Sequence, residues 1–169
     1  MPAALDLLRS HREPPETPQT AVLAATDPAN PYGTLLKWPD AAGSDTAPAD
    51  VGRGATRTVG ALVVVVDGLA AGYLRRGERD LLVALPEEEP ARTRVAQGLA
   101  RALIQLALSR VEGQRGLFLE TLNGVRAGIH PAARWFVAEG FVAGGDGLQY
   151  RAPRQGPVSV ADDPLREQA

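Results

Sequence analysis

Two aromatic residues, Tyr32 and Trp38, stand in the segment LAATDPANPYG (residues 23–33) and the LKWP element that follows it (residues 36–39). Asp27-Pro28 and Asn30-Pro31 turn the chain away from helix, and Gly33 admits a positive φ. Tyr and Trp each carry an apolar body and a polar tip. They can clamp a rigid loop onto a sheet, or stack on an exposed nucleobase, where each base is worth about 1–3 kcal/mol. The sequence leaves both uses open. A second chemistry is cationic. Arg75, Arg76 and Arg79 crowd one polar turn, with Arg53, Arg57 and Arg126 elsewhere. They form either a solvated surface or a rim that touches phosphates. A rim of a few contacts would bind weakly alone and matter when tethered beside stronger DNA-binding domains.

Carboxylates supply a third set. Glu120 near the Asn123-Gly124 turn is either a solvent-facing strand residue or a reactive acid, and Asp27 and Asp146 are loop acids open to the same question. The two histidines, His11 and His130, lie far apart, without neighbouring carboxylate or cysteine at a metal-ligand spacing, so no metal site is expected. His130-Pro131 reads as a helix boundary. With no cysteine, disulfides, thiolate zinc sites and cysteine nucleophiles are excluded together. The only lysine is Lys37, so there is no G-x-x-x-x-G-K-[ST] phosphate loop, and no DEAH-like box is present. A net charge of −2 over 169 residues makes no strong long-range attraction for DNA or an anionic membrane. No apolar run approaches the roughly 20 residues needed to span a bilayer, and the start lacks a secretory apolar stretch. A cytoplasmic protein with no membrane contact is expected.

These side chains must be positioned by an ordered body over about 60–151. Hydrophobic residues make up 44% of the chain but aromatics only 5%, so its core is built from Val, Leu, Ile and Ala. Ala61–Val66 is a β-branched run ending in Asp67-Gly68, a strand entering a hairpin. Strands follow at 71–74 and 81–85. Pro86-Glu-Glu-Glu-Pro90 precedes a helix over 91–109, where acids suit the macrodipole. Val95, Leu99, Leu103 and Leu106 share one face of it, and Arg94, Gln97, Arg101 and Gln105 another. A strand at 117–122, a helix over 131–139 stopped by Gly140, and a strand at 148–151 complete the pattern. The expected fold is α+β: a curved, mostly antiparallel sheet bending toward a barrel, with two packed helices, in the order β-β-β-α-β-α-β. Residues 1–19 are expected to be a proline-stiffened linker, 20–152 the folded module, 40–58 a flexible loop within it, and 153–169 a disordered tail.

The ordered motifs resemble one family. LAATDPANPYG followed by LKWP is similar to the opening of the last module of long bacterial Lhr-type (large helicase-related) proteins. GALVVVVDGLAAGYLRRGERDLLV, LFLETLNGVRA and AEGFVAGGDGLQYR resemble later segments of that module, in the same order, and the likeness spans about 20–152. It implies a non-motor C-terminal accessory module of an ATP-dependent DNA repair helicase. Such a module would pack on the winged-helix modules of the same protein and contact single-stranded DNA, with Tyr32, Trp38, Arg75, Arg76 and Arg79 as the contact residues. ATP and Mg would belong to the parent's motor, and no cofactor or metal is expected here. Base excision is associated with the C-terminal part of some long Lhr proteins, but no residue pattern locates such a site. Assembly into an oligomer is open, as is a preference for DNA or RNA.

A second resemblance gives the runner-up. The meander, helix, strand and HPAARWFVAEGF look like the second half of a GNAT acetyltransferase, with His130, Ala133, Phe136, Gly140 and Phe141 in loosely matching positions. That family opens its main helix with a glycine-rich turn that cradles pyrophosphate. Here Pro86-Glu-Glu-Glu-Pro90 offers three acids instead. A detached gene fragment without activity of its own is the third expectation.

Overall fold

Alternation along the valine run sets the architecture. In the computed structural model, which describes residues 15–40, 54–111 and 116–153, this run is β2 (Leu62–Val66). Leu62, Val64 and Val66 point to one side and pack with the main helix, whereas Ala61, Val63 and Val65 point to the other and meet Tyr32, Trp38 and Tyr73. A two-residue period with both faces covered explains why the run is apolar throughout. Asp67 and Gly68 make the tight turn, both at positive φ (48° and 86°), into β3 (Leu69–Leu74). The register slips between Val64 and Val65, so Ala70 and Tyr73 reach the same outer layer although three positions apart.

The remaining elements follow in order. They are β1 (Thr20–Ala24) ahead of the run, then β4 (Asp80–Val83), α1 (Ala91–Leu108), β5 (Gly116–Leu119), β6 (Thr121–Leu122), β7 (Val125–Arg126), a 3-10 turn (Ala127–Ile129), α2 (Ala133–Ala138), β8 (Val142–Gly144) and β9 (Gly147–Arg151). One sheet runs β1-β2-β3-β4-β6-β7 and a second β5-β9-β8. All strand pairs are antiparallel except β4 with β6.

The expected α+β class, the mostly antiparallel pairing and the two helices are present. The barrel-like closure is not: among the described residues β1 and β7 end the large sheet without pairing to each other. The expected strand at 117–122 is broken at Glu120, where the chain leaves the small sheet for the large one. The strands β1, β7 and β8 were not expected; each is short and abuts turn-forming residues. The second helix begins at Ala133 because residues 127–132 are spent on the 3-10 turn and a further turn. His11, Arg53, residues 1–14, most of the loop expected at 40–58 and residues 154–169 lie outside the described residues.

α1 buries Val95, Leu99 and Leu103 against the large sheet, with Leu106 at the margin. Residues just ahead of it supply partners for its first turn, where the Arg92 N–H donates to the Glu88 carbonyl (2.9 Å). The Glu89 carboxylate accepts the Thr93 N–H at 3.0 Å, and the Thr93 hydroxyl first, then this N–H, hold the Glu89 pKa below the ordinary carboxylate value. α2 is tied to α1 by the Trp135 indole N–H donating to the Thr93 hydroxyl (3.2 Å). A two-pronged Arg101–Glu139 pair (2.7 and 2.9 Å) ties them again.

Candidate nucleic-acid interface

The turn-rich segment between Ala25 and Pro39 lies on the sheet face opposite α1. Asn30, buried, donates through its side-chain amide to the Ala25 carbonyl (2.9 Å) and accepts the Tyr32 N–H (3.1 Å). Arg57 reaches across from a separate stretch and donates to the carbonyls of Asn30 (2.8 Å), Tyr32 (3.2 Å), Thr26 (3.2 Å) and Asp27 (3.0 Å). One guanidinium thus satisfies four carbonyls that a turn leaves without strand or helix partners. The Asp27 carboxylate is used locally, accepting the Ala29 N–H at 2.8 Å.

Tyr32 is 7% exposed. Its hydroxyl donates to the Gly68 carbonyl (2.8 Å) and accepts the Ala70 N–H (3.1 Å), standing in for a strand partner at the start of β3. Its ring lies over Trp38 (centroids 5.9 Å apart, 24° between planes), and Trp38 meets Tyr73 edge-on at 5.6 Å. A Cβ at Gly33 would stand 2.7 Å from the Trp38 indole nitrogen, so glycine is what lets the ring lie against the loop. Both aromatic residues named from sequence therefore serve the packed outer layer. Trp38 alone keeps a half-exposed edge, beside a small pocket of about 170 Å³ that it shares with Tyr73, Leu82 and Ala84.

The arginines of the β3–β4 turn separate. Arg75 is half-buried, and Arg76 is exposed with its stem near Gly60. Arg79 lines an open cleft of about 450 Å³ with Phe118, Glu120, Thr121, Arg126 and Asp146. Glu120 and Asp146, weighed separately in the sequence, are thus brought together, and Arg126 joins them. Phe118 and Thr121 were missed, because nothing in a sequence shows that a strand changes sheets between them.

The cleft is built at that change of sheet. The Glu120 N–H donates to the Arg79 carbonyl (2.8 Å) and the Glu120 carbonyl accepts the Ala127 N–H (2.8 Å), so its backbone is held on both sides. Its side chain remains 54% exposed, with an oxygen 3.8 Å from an Arg79 nitrogen, and Arg79 is 68% exposed. Thr121 donates to the Asp80 carboxylate at 2.7 Å, and Asp80 itself does not line the cleft. Opposite lies the β8–β9 turn carrying Asp146. Gly147 has φ +152°, and a Cβ there would come within 2.2 Å of the Leu119 carbonyl oxygen. Only glycine lets this turn press against the end of β5 and bring Asp146 to the cleft. Asp146 forms no hydrogen bond or ion pair among the described residues.

Two further features bear on alternative chemistry. At the start of α1, where a pyrophosphate cradle would sit, the Thr93 N–H is occupied by the Glu89 carboxylate. His130 accepts the Ala132 N–H on Nδ1 (3.1 Å), and burial lowers its pKa below the usual histidine value. Among the described residues no group of three or more His, Cys, Asp or Glu side chains could hold a metal ion, and no helix is long and apolar enough to cross a membrane.

No family model matches the chain. Two curated relatives match it in part. A protein from Mycolicibacterium smegmatis named Lhr helicase/probable uracil glycosylase is 39% identical over 127 residues, covering 73% of this chain and 7% of that protein. One from Escherichia coli named Lhr helicase/uracil glycosylase is 41% identical over 81 residues, 48% of this chain and 5% of that protein. The chain therefore spans only a small fraction of the length of these relatives.

Proposed function

The chain belongs with the Lhr helicase/uracil glycosylase proteins as a relative of one short segment of them, and on that premise we propose that it is a non-motor module of an Lhr-type DNA repair helicase that contacts single-stranded nucleic acid through the Arg79–Arg126 cleft. The observation that carries this reading is the cleft itself: two exposed arginines, a phenylalanine and two carboxylates around about 450 Å³ of open space. Arginine supplies phosphate contacts, and an aromatic ring supplies a surface for a base. In the parent protein the module packs beside winged-helix modules, and ATP with Mg serves the motor. Weak intrinsic binding is then raised by tethering.

Fluorescence anisotropy of a labelled single strand, titrated with the folded chain at several salt concentrations, tests the proposal. Saturable binding with a log–log salt slope of roughly −1.4, about −0.7 for each of two phosphate contacts, is expected. Arg79→Ala and Arg126→Ala should each remove about half of that slope. Binding that ignores both substitutions would move the contact elsewhere.

The glycosylase named in the relatives gives a second reading, favoured by the placement of Asp146 in the same cleft. An unpaired carboxylate can stabilise the cation that forms as a base leaves, or activate water against it. A uracil-containing strand should then lose uracil in the presence of the parent chain and not of folded Asp146→Asn. Equal release by both would dismiss this role.

A further inference from the structure

Glu120 and Arg79 are held side by side by a backbone hydrogen bond of 2.8 Å, yet their side-chain charges sit 3.8 Å apart, too far for a direct hydrogen bond. Both side chains are more than half exposed. An ion pair of this kind contributes little and opens readily. The guanidinium donors of Arg79 that would face Glu120 are therefore available to another anion.

The cleft's charge balance says what that anion must do. Arg79 and Arg126 stand against Glu120 and Asp146, two positive charges against two negative. A cleft whose charges cancel does not draw a polyanion from a distance. At Arg79, a phosphate that takes the donors facing Glu120 must displace that carboxylate. Asp80, the acid next to Arg79 in sequence, is already the acceptor of the Thr121 hydroxyl. Glu120 is the carboxylate that pairs with Arg79, its backbone fixed on both sides and its side chain free to turn.

We propose that Glu120 is a resident counter-ion for Arg79, which a phosphodiester of a single strand displaces on entering the cleft. This rests on the nucleic-acid reading above and adds to it a built-in competitor that keeps the unoccupied cleft neutral. No bond is made or broken; the carboxylate turns to solvent and one phosphate oxygen takes its place at the guanidinium.

The test is a double-mutant cycle on the full chain, with labelled oligo(dT) as probe. Both positions are exposed, and a thermal melt of each variant checks folding. Glu120→Gln should tighten binding about 2- to 5-fold. The gain should vanish when Arg79→Ala is also present and persist beside Arg126→Ala. Inorganic phosphate at millimolar concentration should not displace the strand from Glu120→Gln. A gain of equal size with and without Arg79 would mean only general repulsion and would overturn the proposal. Weaker binding by Glu120→Gln would overturn it too, by making Glu120 a contact to the ligand. Displacement by inorganic phosphate would replace the strand with a small anion. Failure of every form, parent included, to bind the strand would remove the nucleic-acid reading itself, and the exchange with it.

Discussion

At the scale of single residues, polar side chains do structural work that apolar bookkeeping overlooks. Trp38 is wedged between the Tyr32 ring and the Tyr73 edge. Trp38→Ala should cost about 2–3 kcal/mol in urea denaturation, somewhat below the value for a fully buried aromatic. The folded variant should bind a single strand as well as the parent; a selective loss of binding would return Trp38 to the contact surface. Asp67 is a turn residue, but it also accepts the Gln19 N–H (2.8 Å) and the Arg94 guanidinium (2.8 Å). Burial pushes its pKa up, but the bonds from Arg94 and Gln19 outweigh this and leave it below the ordinary value. A folded pKa below the unfolded one gives stability that is present above the unfolded value, near 3.9, and lost as pH falls through the folded one. Asp67→Asn should flatten the acid limb of a stability–pH curve and cost about 1–2 kcal/mol at neutral pH. Had the sequence been read for partners, the Asp67-Gly68 turn would still have shown only a turn, since Arg94 lies 27 positions away.

At the scale of elements, local pattern predicted what local physics controls. The valine run, the apolar stripe of α1 and the Gly140 stop all follow from period and backbone freedom, and each is found where expected. What escaped was long-range pairing. β1 needs β2, whose residues come some forty positions later, and no alternation in five residues announces it. The break at Glu120 is set by two sheets claiming successive parts of one strand. For the same reason the candidate cleft was half legible: its charged residues were visible, their meeting was not. Gly147 is the element-scale test. Gly147→Ala must push the Leu119 carbonyl away, so it should destabilise the fold by about 1–3 kcal/mol and shift the β8–β9 turn. Chemical shifts of residues 118–121 and 146–149 would report the displacement; an unperturbed spectrum would show that the turn does not depend on glycine.

At the scale of the whole molecule, a net charge of −2 and a neutral cleft describe a module that does not seek nucleic acid on its own. Under the proposed nucleic-acid role, the strand would have to be delivered by something else. Among the described residues, His130 is the histidine that links stability to pH near neutrality. Burial depresses His130, so its contribution to stability is present above the unfolded value, near 6.5, and is lost as pH falls through the lower folded value. Melting temperature should therefore drop between about pH 7 and pH 5, and His130→Gln should remove part of that drop. An unchanged profile would assign the loss to carboxylates instead.

The Arg94 guanidinium holds more than Asp67. It also donates to the carbonyls of Glu16 (3.0 Å) and Pro15, while Pro18 lies against Gly98. The stretch leading into β1 is therefore seated on α1 rather than hung from it. The consequence is hydrodynamic. A fluorophore attached at position 15 should tumble as one body with the module, showing a single slow anisotropy decay. In Asp67→Asn, or in acid, a fast component should appear as the seat loosens. Pro15 and Glu16 thus turn with the module, as a rudder turns with its stock.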